Sequence, residues 1–530
     1  MSDNKNSITN SEYDRMPYES FPYHQSSPQH LKTIGTLFGM KPPALETARV
    51  LELGSAAGGN IIPFAVMFPK SHCIGIDLSK VQIDQGKEEI KKLGLKNIEL
   101  KAMSITDVDH SLGKFDYIIT HGVFSWVPDF VREKMLEICG TMLSDNGISY
   151  ISYNTLPGWN MVRSIREMML FHSSGFPNDK DKVQQARLLL QFLKDGTETQ
   201  KTPYAEFLKT EAELLANQPD HYIRHEHLED TNHQMYFSEF MAHSAKYGLQ
   251  YLGDASLTSM YLGNLPEKVS EKLAEIKDIV RVEQYMDYFT NRRFRSTLLC
   301  KSNVQLNRAL SFNDIEKFYV SMKAQPEKPE SEVKLEDSLD TLKFFFNNNK
   351  EVNISTSSPY MKAIIYTMAE HSNTMLKVED ILKEASKKLK NAKPEDLRND
   401  FVNNAMKLVL SGYMTISSDV PRHITKTSNK PVVSDLVRFQ CEHTPNFWIT
   451  NLKHERLSIN IFDKFALRYL DGKNSLDNLK EIMLEHVMNG DITISRNNVK
   501  LEEKAEIEKE INSVIDQMSS KLEQCAILIK

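Results

Sequence analysis

Apolar runs of four to eight residues recur along the first half of the chain, each closed by a turn and followed by helical spacing. Residues 48–53 are the first, ending in Gly54-Ser55-Ala56-Ala57-Gly58-Gly59 and passing into an apolar helix over 61–68. Residues 72–76 form the second and end in Asp77. Residues 97–102, 114–121 and 147–154 read as the third, fourth and fifth strands. Strands that alternate with helices predict a parallel sheet covered on both faces, so the fold class is α/β, doubly wound and Rossmann-like. In such sheets ligands bind outside the carboxyl ends of the strands.

The second half reads differently. Residues 176–231 are helical and polar, with helix cores at 184–193 and 204–215. Residues 236–247 have helical periodicity and lead into a short strand at 248–254; another strand is expected at 294–300. Residues 323–336 are charged and contain prolines, so they read as an exposed loop or linker. Between 358 and 416, helices followed by a Gly-turned strand suggest a winged-helix-like module, and 428–431 marks a boundary. The stripe Ile507, Ile511, Val514, Ile515, Met518 and Leu522 reads as core packing of a final helix. Before the first strand, residues 1–12 look disordered, and 13–40 form an arm with helical Leu31, Ile34, Leu37 and Phe38 spacing.

The glycine turn carries the chemistry. A dinucleotide site uses G-x-G-x-x-G so that backbone approaches a pyrophosphate. Here Ala56 stands where the middle glycine belongs, and its methyl crowds that position. S-adenosylmethionine (AdoMet) has no phosphate. Glu52 either supports the turn or sits near the cofactor ammonium, and Asp77 has the spacing of a ribose-binding acid. Two ribose hydroxyls donate well to two carboxylate oxygens. Met103, Ser104 and Ile105 follow the third strand, where an adenine would lie, and His121, Gly122 and Val123 follow the fourth. Gly54, Ala56, Asn60 and Leu78 complete the cofactor set from the turn and its neighbours. Arm residues Tyr13, Tyr18, Ser26 and His30 join it, since the aromatic and histidine side chains of the arm (with Phe21, Tyr23 and His24) can close over the cofactor.

These residues resemble the class I AdoMet-dependent methyltransferases. With Tyr13-Asp14-x-x-Pro17-Tyr18-x-Ser20-Phe21-Pro22, Ser27-Pro28, Phe38-Gly39, the run from His121 to Pro128, and Ser152-Tyr153-Asn154-x-x-Pro157-Gly158-Trp159, the chain resembles the bacterial members that carry a methyltransferase regulatory domain. Among these it is most similar to the rickettsial protein-lysine methyltransferases, over about the first 300 residues. The resemblance implies a seven-stranded sheet, with 248–254 as sixth strand and 294–300 as an antiparallel seventh. The expected organisation is then 1–175 and 232–303 as the AdoMet domain, 176–231 as a helical insertion, 304–427 as a middle domain and 428–530 as a C-terminal domain. It also implies a homodimer through the insertion, lysine ε-amines of outer-membrane protein B as acceptor, and S-adenosyl-L-homocysteine (AdoHcy) as product.

Methyl transfer is an SN2 displacement at a sulfonium, so the amine must arrive neutral and in line. Tyr18, Phe124, Trp126 and Trp159 are the candidate substrate-binding aromatics, because an aromatic pocket suits a lysine stem and a cationic product. Tyr153, Asn154 and His121 are the candidates to accept or orient the amine hydrogens. Two alternatives share every cofactor residue: methylation of a small molecule or another protein group, and a non-catalytic AdoMet-binding protein. Base methylation is disfavoured, because His121-Gly122-Val123-Phe124 replaces the Asn/Asp-Pro-Pro element that grips a flipped base.

Composition narrows this further. A net charge of −6 gives no basic excess for nucleic acid. No apolar run reaches the length of a membrane span, and the N-terminus lacks a secretory h-region. Five scattered cysteines without C-x-x-C fit a reducing cytoplasm. His221, His225 and His227 with Glu226 and Glu229 fit metal spacing only in part, and the expectation is a hydrogen-bonded hinge with no metal. Arg292-Arg293-Phe294-Arg295 reads as a surface or dimer contact.

Overall fold

The computed structural model describes residues 19–310, 312–346, 349–496 and 499–529. The expectations for residues 1–12, Tyr13 and Tyr18 lie outside them. The sheet has seven strands: β1 Arg49–Leu53, β2 His72–Asp77, β3 Ile98–Ala102, β4 Phe115–Thr120, β5 Leu143–Asn154, β6 Leu249–Asp254 and β7 Phe294–Lys301. Their order is β3-β2-β1-β4-β5-β7-β6. Strands β1 to β5 pair in parallel, and β7 runs antiparallel to both β5 and β6.

Side chains alternate across the sheet and feed two cores. One holds Val50, Tyr117, Ile119, Ile148 and Tyr150 against Leu31 and Ile34 of the arm helix Pro28–Leu37, Phe38 that follows it, and Phe64 of the helix Ile61–Met67. The other holds Leu51, Leu53, Ile118, Ile151 and Tyr153 against Met135, Phe237 and Phe240. Tyr150 and Tyr153 therefore face opposite ways, which decides their roles. β5 starts four residues before the expected 147, where Ser144 Oγ donates to Asp116 Oδ1 at 2.8 Å and keeps the segment extended against β4.

After β5, the helices Gly158–Ser173, Asp179–Thr197, Pro203–Ala216 and Asp220–His227 form a bundle around Ile165, Met169, Val183, Leu208 and Ile223. Several large apolar side chains stay outside this core, with Phe171 84% exposed and Phe192 72%.

Two expectations change. The arginine cluster is not a surface patch. Arg295 is buried and binds Asp287 and Glu283 of the helix Ile279–Thr290, Arg292 binds Asp287, and Arg293 binds Glu211. Nor is 323–336 a free linker. Gln325–Pro326 pairs with the strand Leu342–Phe346, and Ala324 and Leu335 are buried in a core with Phe344, Ile364 and Phe401. Beyond it, Gly412 (φ +80) turns the helix Pro394–Leu410 into the strand Thr415–Ser417. The last region packs the helices Asp435–His443, Leu476–Met488 and Lys504–Gln524 together. Its two-stranded hairpin, Trp448–Thr450 with Arg456–Ser458, reaches back to the arm at the sheet's carboxyl edge.

Candidate functional site

The glycine turn after β1 is built on Asp77. Its Oδ2 accepts the Ala56 amide and its Oδ1 the Ser79 amide, both at 2.8 Å. Ala56 is held at φ +48, a left-handed conformation that costs a residue with a Cβ about 1–2 kcal/mol. Gly54 (φ +78) lies where a Cβ would be 2.3 Å from Val123 Cγ2, so β1 and the loop after β4 meet there. Gly59 is crowded by the arm. Its amide donates to Ser20 Oγ at 2.8 Å, and a Cβ on it would lie 2.3 Å from the Ser20 carbonyl.

Glu52 is buried on β1. Its Oε1 accepts Asn60 Nδ2 at 2.7 Å, while its Oε2 has no hydrogen-bond partner among the described residues. Burial pushes its pKa up to about 8. A buried carboxyl with a spare oxygen fits a cofactor ammonium, and this orphan is the structural test that AdoMet passes. The sign follows from linkage. A carboxyl raised from about 4.5 to about 8 holds its proton at neutral pH, and the stability gained from that proton is lost as pH rises through 8. An ammonium beside it lowers the pKa again. AdoMet binding near neutral pH is therefore expected to release close to one proton. Calorimetry in buffers of different ionisation enthalpy measures this, and Glu52→Gln should abolish the release.

The opposite wall is less polar. Leu78 is exposed, and Met103, Ser104 and Ile105 are half-buried beside the end of β3, an open apolar ledge on which a planar ring can rest. His121 closes this side. Its Nδ1 meets Tyr150 Oη at 2.8 Å, its ring lies 3.7 Å from that of Tyr23, and burial lowers its pKa to about 4. It is neutral at physiological pH. The Gly122 amide donates to Ser152 Oγ at 2.8 Å, which fixes the turn after β4. Ser26 is buried under the turn, 3.2 Å from Asn60 Oδ1. His30 Nε2 donates to the Ala255 carbonyl at 2.6 Å and ties the arm to the end of β6.

The candidate acceptor residues separate into two groups. Phe124 and Tyr153 are buried in the core with Phe240, and Tyr153 Oη meets Thr297 Oγ1 at 3.1 Å. Neither reaches the pocket side occupied by His121. Trp126 and Trp159 instead stand edge to face 6.4 Å apart, with Trp126 half-exposed. Asn154 lies at the end of β5, its amide bonded to Ser125 Oγ and its Nδ2 3.3 Å from Asn232 Oδ1. Asn232 Nδ2 is buried with no hydrogen-bond partner among the described residues. Sequence reasoning missed Tyr150, Asn232 and the seat of Ser20. Tyr150 was accessible to it: it shares a strand face with Ser152 and Asn154, whereas Tyr153 lies on the other.

The histidine group is spent on structure. Arg224 bonds Asp179 and Glu229, and His225 faces Glu229 at 3.7 Å. Burial, with Arg166 nearby, lowers His227 to about 4. Among the described residues, no group of three or more His, Cys, Asp or Glu could hold a metal.

Three protein families match the chain. A methyltransferase domain covers residues 45–236, a predicted methyltransferase regulatory domain 219–301, and the PKMT C-terminal winged helix domain 429–527. The uncharacterized protein RP789 of Rickettsia prowazekii (strain Madrid E) is 53% identical over 518 residues, covering 98% of this chain and 93% of that one. PKMT2 from Rickettsia typhi in complex with AdoHcy superposes with a TM-score of 0.91 at 41% identity, covering 97% of this chain and 100% of that one. A second PKMT2 structure from the same organism gives 0.91 at 40% identity over 97% and 100%.

Proposed function

This chain belongs to the AdoMet-dependent methyltransferases that carry a methyltransferase regulatory domain and a PKMT winged helix domain, and from that premise we propose that it methylates lysine ε-amines of a protein substrate. Its cofactor is AdoMet and its product AdoHcy. The observation that carries the lysine reading is likeness to PKMT2 over 97% of the chain, winged helix domain included. When bound, AdoMet would supply the sulfonium methyl that the amine attacks, with AdoHcy leaving as the neutral thioether.

In this reading Asp77 holds the ribose, Glu52 the ammonium, and Leu78, Met103 and Ile105 the adenine. Neutral His121, oriented by Tyr150, and the Asn154–Asn232 pair face the entering amine and accept its hydrogens. Trp126 and Trp159 flank the lysine stem, because an aromatic face stabilises an alkylammonium by about 0.5–2 kcal/mol. Phe124 and Tyr153 support β5 from the core side. The proposed acceptor is an outer-membrane protein of the type the resemblance implies. Incubation with AdoMet and denatured fragments of outer-membrane protein B, followed by mass spectrometry, tests it. Added methyl mass on lysine is expected; bound AdoMet without any such mass would refute the reading.

We also infer a homodimer built on the helical bundle. The support is its exposed apolar surface, where Phe171, Leu188, Phe192 and Leu214 are each at least half exposed. Phe192→Asp is expected to convert the dimer to monomer in sedimentation velocity; an unchanged sedimentation coefficient would place the interface elsewhere. The compartment that fits is the cytoplasm: the five cysteines are free, and no helix among the described residues is long and apolar enough to cross a membrane.

A further inference from the structure

We propose that the C-terminal domain supplies a positioning residue of the cofactor pocket, His454, which holds Asn60 and through it the arm and Glu52. It lies at the tip of the Trp448–Thr450/Arg456–Ser458 hairpin, 394 residues from its partner. The tip is rigidly made. Asn451 Oδ1 accepts the Lys453 and Glu455 amides at 2.9 Å, and the His454 amide donates to the Asn451 carbonyl. His454 is 1% exposed and sits at φ +60, a left-handed conformation that a side chain bearing a Cβ adopts at a cost.

Hydrogen-bond roles in this cluster are fixed without ambiguity. The Tyr23 backbone amide reaches Asn60 Oδ1 at 2.9 Å, and an amide can only donate, so Oδ1 is the acceptor and Nδ2 faces Glu52. His454 Nε2, 2.8 Å from the same Oδ1, must then be a donor. Burial lowers this histidine to about 3, so the ring is neutral and its one proton is on Nε2. Ser26 has a single proton and a shorter bond to the Tyr23 carbonyl, 2.9 Å against 3.2 Å, so Tyr23 and His454 are the two main donors to Asn60. One carboxamide thus gathers the arm, the C-terminal domain and the carboxyl that faces the cofactor ammonium.

Three further contacts join the same hairpin to the arm. Trp448 Nε1 donates to Glu19 Oε1 at 2.7 Å, His24 Nδ1 donates to the Lys453 carbonyl at 2.7 Å, and the Arg456 guanidinium lies 4.6 Å from the Phe21 ring centre. The arm is held between the glycine turn, at Ser20 and Gly59, and this hairpin. On its far side the tip lines a cavity of about 710 Å³ with Lys453 and Glu455, where the arm, the middle domain and the C-terminal domain meet. Displacing the hairpin therefore frees Asn60 and loosens the arm over the cofactor.

The inference rests on the cofactor placement proposed above. The test is AdoMet affinity of the full chain by calorimetry, with hydrogen exchange of the arm amides. His454→Phe keeps the ring volume and removes the donor; it is expected to weaken AdoMet about tenfold and to speed exchange at Tyr23. His454→Gln restores an N–H donor and should stay within about threefold of the parent. Trp448→Phe, which keeps an aromatic ring beside Phe21 and Arg456 and removes the bond to Glu19, should speed exchange across residues 19–26 and lower affinity in the same direction. His454→Phe with parental affinity, while Asp77→Ala is weakened, overturns the inference, as does a His454→Gln loss equal to that of His454→Phe. If Asp77→Ala is also unaffected, the cofactor placement itself is wrong.

Discussion

Replacing Asp77 with Ala is expected to weaken AdoMet binding by about 100-fold, because the carboxylate has two jobs and alanine does neither. It accepts the Ala56 and Ser79 amides, and it is the acid placed to take the ribose hydroxyls. A hydrogen bond to a charged acceptor contributes about 1.5–3 kcal/mol. Losing the ribose contact alone would give about tenfold or more. The remainder comes from the turn, since the bond from Ala56 to Asp77 offsets the left-handed strain at φ +48. Without it Ala56 relaxes, and the backbone between Gly54 and Gly58 moves out of the shape that accepts the cofactor. Asp77→Asn separates the two contributions: one carbonyl oxygen remains to accept an amide, and the charge is lost. Its affinity should fall between the parent and Asp77→Ala. Calorimetry reads both variants, and affinity within threefold of the parent for Asp77→Ala would show that the ribose lies elsewhere.

Local pattern was enough to find this turn. β1, the glycines and β2 with its terminal acid lie within thirty residues, and each signal is a short-range property of backbone and side chain. The same holds for β6 and the antiparallel β7 once a seven-stranded sheet is expected. Other parts were hidden for definite reasons. Tyr153 drew the reading because it stands next to Asn154, yet strand alternation sends it into the Phe240 core and brings Tyr150 to His121. His454 and Asn60 are too far apart in sequence for spacing to connect them. The prolines and charges of 323–336 resemble a linker, but Ala324 and Leu335 anchor it in a core contributed by distant helices. The arginine cluster was misread because counting charges does not reveal their partners, which here lie eight and twelve residues upstream of Arg295 on a helix packed against the sheet.

Arg295→Met is accordingly expected to be the most destabilising single change in the catalytic sheet, by about 3–5 kcal/mol, the usual result of removing one partner from a buried ion pair. The guanidinium donates to both oxygens of Asp287 at 2.8 Å, to Glu283 Oε2 at 3.0 Å, and lies 3.9 Å from the Phe237 ring centre. Arg292 remains on Asp287 at 3.0 Å after the substitution, so Glu283 is the carboxyl left without a paired cation. Burial already raises the pKa of Glu283 above the ordinary carboxyl value with Arg295 opposing it. Removing Arg295 raises it further. An acid whose folded pKa exceeds its unfolded pKa retains its stabilising proton at low pH and loses it as pH rises through the folded value. The variant should therefore be closest to the parent at about pH 5 and furthest from it at about pH 8. Adding Glu283→Gln to Arg295→Met removes the stranded charge, so the double variant should regain part of the loss at the higher pH and little at the lower. Denaturant unfolding of the parent and the two variants at both pH values measures this. A loss for Arg295→Met that does not change with pH would mean that its penalty is the empty volume beside Phe237, with no contribution from the unpaired carboxyl.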